Sequence, residues 1–233
     1  MTQPLVVTPV TGLGEVRAGD DLAAQIARCA QLDDGDVVVV TQKVVSKAEG
    51  RIVAVGDDEV AGRMRIIEQE SARILRRRDE LVISETRHGF VCANAGVDFS
   101  NVDAGSAALL PEDPDRSARR IRDGLRAATG RVVGVIVSDT FGRPWRRGVV
   151  DVAIGVAGVA AVVDLRGSAD ANGRILQATE LCVADEIASA AELVMGKADG
   201  VPVAVVRGVA AAWLRPGSVA DEIVRPTRED LFR

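Results

Sequence analysis

The chain reads as a mixed α/β protein, α+β in the irregular succession of its elements. Three observations carry that reading. DVVVVTQKVV (36–45) is a near-unbroken valine run that fits a strand buried on both faces. Segments with apolar residues at helical spacing separate such runs. Their uneven succession argues against a doubly wound sheet. At 233 residues and 47% hydrophobic composition the chain has ample material for a core.

LVVTPV (5–10) opens as a strand. Asp20 or Asp21 then caps a helix through LAAQIARCAQL, in which Leu22, Ile26, Cys29 and Ala30 recur at helical spacing. The Asp34-Gly35 turn leads into the valine strand, and RIVAV (51–55) follows the SKAEG turn as a half-buried strand. Over residues 58–78, Val60, Met64, Ile67 and Ile74 recur among charges. They predict one amphipathic helix ending in Arg76, Arg77 and Arg78, where positive charge suits the helix dipole. Strands follow near LVIS (81–84) and GFVCA (89–93). Pro111 and Pro114 introduce a helix over 113–129 with Ala118, Ile121 and Leu125 on one face. A strand at 132–138 precedes AIGVAGVAAVVDLRG (153–167), whose glycines and alanines allow close backbone approach. Residues 180–197 form the clearest late helix and VPVAVVRG (201–208) the clearest late strand.

Composition excludes several function classes. Against 29 Lys and Arg stand 34 Asp and Glu, a net charge of -5, which provides no polybasic surface for nucleic acid or anionic lipid. Cys29, Cys92 and Cys182 are widely spaced with no CxxC pair, so neither a disulfide framework nor a zinc site is indicated, and a reducing cytoplasm is the natural compartment. The N-terminus lacks a basic stretch followed by a long apolar one. The longest apolar run, from Val152 to Val163, falls well short of the roughly 20 residues a spanning helix needs, so no membrane partner is expected.

Two stretches promise chemistry. SDTFGRPWRRG (138–148) follows an apolar run and delivers Asp139 and Thr140 at a strand end, then a Gly-Arg-Pro turn and arginines, an arrangement suited to a metal-held phosphate site. CANAGVDFSN (92–101) sets Asp98 and Asn101 among small residues. Other nucleotide and hydrolase signatures fail: there is no GxxxxGK[ST], no GxGxxG after a strand and no GxSxG. His88, the single histidine, reads as a surface or turn residue. Any metal must therefore be held by oxygen, which favours magnesium, manganese or calcium.

Six blocks in order resemble the coenzyme F420-0:L-glutamate ligase family: TQKVVSKAEGR (41–51), GFVCANAGVDFSNV (89–102), LLPEDPDRSA (109–118), SDTFGRPWRRG (138–148), DVAIGVAGV (151–159) and ADEIASAAELVMGKADGVPVAVVRG (184–208). The resemblance implies the F420 γ-glutamyl ligase-like fold, built as an intertwined homodimer. It implies a GTP-dependent ligase that joins L-glutamate to coenzyme F420-0, and further glutamates by γ-linkage, with magnesium or manganese at two sites and potassium. The whole of 1–233 would be the ligase domain, and RPTREDLFR (225–233) resembles the junction of actinobacterial members that continue into a nitroreductase-like domain.

By match to the family, Asp98 and Asp139 would be catalytic ligands of divalent metal, with Thr140 joining a second ion. Leu13, Gly14, Glu15, Val16, Gln42, Lys47 and Asn101 would contact GTP, as would Met195, Gly196, Lys197, Ala198, Asp199, Gly200, Val201 and Pro202. Plainer roles stay open: turn caps for the aspartates, an exposed lysine for Lys47, a helix C-cap for MGKADG. Arg143, Arg146 and Arg147 could pair with carboxylate or phosphodiester groups. Trp145 either stacks on the deazaflavin ring or packs in the core. Glu49 either meets metal or makes an ordering hydrogen bond. A metal-dependent kinase or phosphatase and a regulatory nucleotide-binding module are the alternatives.

Overall fold

The computed structural model describes residues 4–100 and 102–231; Asn101 and the last two residues of RPTREDLFR lie outside them. The chain forms β1 (Val6–Pro9), α1 (Leu22–Cys29), β2 (Val37–Thr41), α2 (Gln42–Ala48), β3 (Ile52–Ala54) and α3 (Glu59–Glu70), then β4 (Ser71–Arg78), β5 (Leu81–Thr86), β6 (Val91–Ala93) and β7 (Ser106–Ala108). After these come α4 (Pro114–Thr129), β8 (Gly134–Arg143), β9 (Arg146–Ala157), β10 (Val163–Asp164), β11 (Glu180–Leu181), α5 (Val183–Met195), β12 (Val203–Arg207) and α6 (Val219–Glu222). No helix among the described residues is long and apolar enough to cross a membrane.

Five strands make the central sheet, in the order β1-β12-β2-β8-β9. Only β2 and β8 run parallel within it; the other neighbours are antiparallel. The mixed α/β class is therefore observed, and the sheet is not doubly wound. The valines of β2 are wholly buried and alternate between two cores. Val38 and Val40 face one core with the α1 and α4 residues Ile26, Ile121 and Leu125. Val37 and Val39 face the other with the α5 residues Ala184, Ile187 and Ala188. Asp21, not Asp20, caps α1, its Oδ1 accepting the Ala24 N–H at 3.0 Å. Gly155 answers the expectation of close approach: a Cβ there would fall 2.3 Å from the Pro114 carbonyl.

A smaller unit carries a third core of Val55, Ile66, Ile67, Val82, Ala95, Val97, Ala107 and Leu109. It comprises the sheet β4-β5-β6, the pair β3-β7 and α3.

Three expected elements are corrected. The helix over 58–78 stops at Glu70, and the arginine run belongs to β4, paired antiparallel with β5. Ile74 falls seven residues after Ile67, two helical turns, and pairing with β5 overrides that period. The valine strand ends at Thr41, where its last partner is Ser138, and Gln42 begins a helix instead of extending the strand. The strand proposed for 132–138 continues to Arg143, so Asp139 and Thr140 stand inside a hairpin rather than at a strand end. Its turn moves to Pro144 and Trp145, the latter at φ 58.

Candidate active site

Strand directions bring the predicted segments together. β1 and β2 run toward one edge of the central sheet, β12 starts from it, and β8 runs through it. The segment after β1, the first turns of α2, the loop before β12 and the middle of β8 therefore border one cleft of about 830 Å³. Open α/β sheets hold ligands beyond such strand ends. Asp98 enters from the smaller unit, where its backbone pairs with Ala108.

Leu13, Gly14, Glu15, Val16, Gln42, Lys47, Asp98, Asp139, Thr140, Gly196, Lys197, Ala198, Gly200, Val201 and Pro202 all border this cleft. Met195 does not; as the last residue of α5 it is fully buried in the core beneath that helix. Asp199 also stands off the wall, its carboxylate folded against Gly196, where a Cβ would meet Oδ2 at 2.3 Å. Gly196 caps α5 at φ 62, so the plain helix-end role and the cleft-lining role coexist in one loop. The Gln42 side chain is buried beside the Ser46 hydroxyl, 2.9 Å away. Lys47 bridges the cleft mouth to Glu15 at 2.5 Å and draws that carboxyl below its ordinary value.

The acids differ in state. Asp139 is pushed up to about 7, first by burial and then by the charges of Asp98 and Asp151, with the Thr140 backbone N–H working the other way. Burial also works upward on Asp98, but Lys43 and Ser100 outweigh it and hold the carboxyl below its ordinary value. Lys43 Nζ lies 2.7 Å from Asp98 Oδ2, and the Ser100 N–H and hydroxyl each donate to Oδ1 at 2.7 Å. The Cys92 thiol, pushed up to about 12 by burial and by Asp139, stays protonated and offers no thiolate.

The sequence reading missed Lys43, Asp151 and Glu192. Lys43 lay inside a quoted block, yet only its contact with Asp98, across the two units, singles it out. Asp151 carried a usable signal: a carboxylate within the apolar run VVDVAIGV, on a strand that then proves buried. Glu192 shares Lys197 with Asp151, at 3.0 Å from each acid. Desolvation and the nearby Asp151 raise Glu192 above the ordinary carboxylate value.

Other expectations shift. Trp145 is 86% exposed at the hairpin tip, so it is not a core residue. Arg143, Arg146 and Arg147 accompany it outside the cleft wall, with Arg143 Nη2 donating to the Arg147 carbonyl at 3.0 Å. Glu49 makes an ordering hydrogen bond, accepting from Ser117 Oγ at 2.6 Å and tying α2 to α4. His88 Nε2 bonds the Pro111 carbonyl at 2.9 Å, and its ring stacks on Phe90.

The donor set suits a hard divalent cation. Asp98, Asp139 and Thr140 provide oxygen only, and the mutual repulsion that raises Asp139 is what such an ion relieves. Among the described residues no three His, Cys, Asp or Glu side chains form a ready cage, and ammonium groups neutralise the acids instead: Lys43 on Asp98, Lys197 on Asp151.

The profile of the F420-0:gamma-glutamyl ligase family matches residues 12–208, a span that includes the whole cleft wall. The chain belongs to the F420-0:gamma-glutamyl ligase family. It is accordingly an enzyme, a ligase. Curated relatives include the coenzyme F420:L-glutamate ligase of Methanothermobacter thermautotrophicus, 45% identical over 96% of this chain and 97% of the relative. The protein of that name from Methanopyrus kandleri is 45% identical over 98% of both chains. Its namesake from Methanocaldococcus jannaschii is 40% identical over 87% of this chain and 86% of the relative.

Proposed function

We propose that the chain is a coenzyme F420:L-glutamate ligase. It joins the amino group of L-glutamate to the side-chain carboxylate of F420-0, adds further glutamates by γ-linkage, and cleaves GTP to GDP and phosphate. The observation that carries this reading is the near-full-length likeness to relatives of that name, 45% identical over 96% of the chain. The cleft supports it, since loops from three strand ends converge there with oxygen donors and lysines.

A carboxylate is a poor electrophile and needs activation. The γ-phosphoryl group passes to a carboxylate oxygen of F420-0 and GDP leaves; the glutamate nitrogen then attacks the acyl carbon, the carbon–oxygen bond to phosphate breaks, and the amine gives up a proton. Such transfer depends on positioning and on neutralising charge. Asp98, Asp139 and Thr140 would hold magnesium or manganese, which when bound neutralises the phosphate oxygens. Lys47 and Lys197, both on the cleft wall, add compact positive charge. The loops 13–16 and 196–202 provide backbone groups to the nucleotide. Potassium as an accessory cation and a homodimer belong to the same reading.

Mass spectrometry of F420-0 incubated with GTP, manganese and L-glutamate tests it. Glutamylated product is expected, with little GTP turnover when glutamate is omitted. Intact F420-0 after complete GTP turnover would point to a phosphatase instead.

A further inference from the structure

Asp151 is 1% exposed, yet it is the centre of a hydrogen-bonded group beneath the cleft. It stands on β9 directly opposite Thr140 of β8. Its Oδ1 accepts the Thr140 hydroxyl at 2.6 Å and the Lys197 ammonium at 3.0 Å, and its Oδ2 accepts the Ser138 hydroxyl at 3.0 Å. Lys197 also touches Thr140 Oγ1 and reaches Glu192 at 3.0 Å. A carboxylate so covered is costly unless paired, and its side-chain partners among the described residues, Ser138, Thr140 and Lys197, all belong to the cleft wall.

The consequence lies in where one proton goes. A hydroxyl has one hydrogen and two lone pairs. With the Thr140 hydrogen committed to Asp151, the oxygen can only accept, and one lone pair remains beyond the one that Lys197 engages. A hydroxyl free to rotate would instead present its hydrogen toward an incoming cation part of the time. Ligand-orienting acids of this kind govern metal affinity although they never touch the ion.

We infer that Asp151 is a positioning residue of the ligase: it fixes the Thr140 hydroxyl as an acceptor for a divalent cation and anchors Lys197 beside it. The inference rests on the reading of Thr140 as a metal ligand. It explains an acid in the middle of an apolar strand, which the packing of β9 against α5 and α4 does not require.

Titration of manganese into the GDP-bound full chain, followed by the electron paramagnetic resonance of the free ion, tests it apart from turnover. Asp151→Ala, which removes the acceptor of the Thr140 hydroxyl, should weaken manganese binding roughly 10- to 100-fold, with the circular dichroism unchanged. In a Thr140→Val background the same substitution should cost little more, because the acid acts through that hydroxyl. Wild-type binding by Asp151→Ala, or losses that simply add in the double variant, would overturn the inference. If Thr140→Val itself binds manganese normally, the metal assignment of Thr140 fails and the positioning role with it. Should Asp151→Ala not fold, Asp151→Ala/Lys197→Met, which removes buried charge and counter-ion together, is compared with Lys197→Met and must show the same loss.

Discussion

Asp139→Asn should stabilise the metal-free protein while abolishing ligation, and the gain should grow with pH. The carboxyl is raised from an ordinary 3.8 to about 7, chiefly by burial. Between these values the folded state keeps a proton that the unfolded chain has released, so wild-type stability falls as pH rises, by about 1.4 kcal/mol per unit. The contribution is fully present below the unfolded value and is lost once pH passes the folded one. From pH 5 to the folded value lie two units, so the variant, which never ionises, should gain about 3 kcal/mol on wild type between pH 5 and pH 8. For a chain of this length that corresponds to roughly 6–12 °C in melting temperature. Thermal unfolding in a chelator at both pH values measures it, and saturating manganese should reverse the order by binding only the wild-type fold tightly. An Asp139→Asn variant equally displaced from wild type at pH 5 and pH 8 would refute the argument.

Asp98→Asn should lower turnover at least about a hundredfold, equivalent to several kcal/mol of lost charge stabilisation, while the loss of its half-exposed pair with Lys43 costs at most about 1 kcal/mol in urea unfolding. Asp115→Ala should destabilise by roughly 3–5 kcal/mol. It leaves the Val156, Val219 and Ala220 N–H groups and the Ser218 hydroxyl without their acceptor, and limited proteolysis should cut first near α6. Gly155→Ala forces a methyl to within 2.3 Å of the Pro114 carbonyl and should cost roughly 1–3 kcal/mol or more, read as a lower urea midpoint at unchanged slope.

The parts of the fold set by local chemistry were legible in the chain. Asp113 and Pro114 start α4, Gly130 ends it at φ 72, and Ile121 and Leu125 mark its buried face. The valines of β2 announced burial on both sides. What escaped in the fold was decided by pairing over local preference: Ser71–Arg78 is rich in the helix formers alanine, leucine and arginine, and the antiparallel hairpin with β5 makes it a strand. The site divides the same way. Asp98, Asp139 and Thr140 drew notice through the motifs they stand in, and the cleft-bordering loops 13–16 and 196–202 through the family resemblance. Lys43 and Glu192 acquire meaning only through contacts with residues 55 and 5 positions away, Asp98 and Lys197, whereas Asp151, already signalled as an acid in an apolar run, gains its role from Thr140, 11 positions away. Met195 was named with the loop 195–202 by match to the family, and its side chain lies in the core beneath α5.

Asp98 follows Val97 of the small core, whereas Asp139 stands on β8 of the central sheet. Their separation is thus set by how two independently packed bodies lean on each other, and a methyl group added or removed far from the cleft can widen or narrow the gap. Evolution can tune the reaction by repacking Ile66 or Val82 of the small core, neither of which borders the cleft, while every chemical group stays as it is.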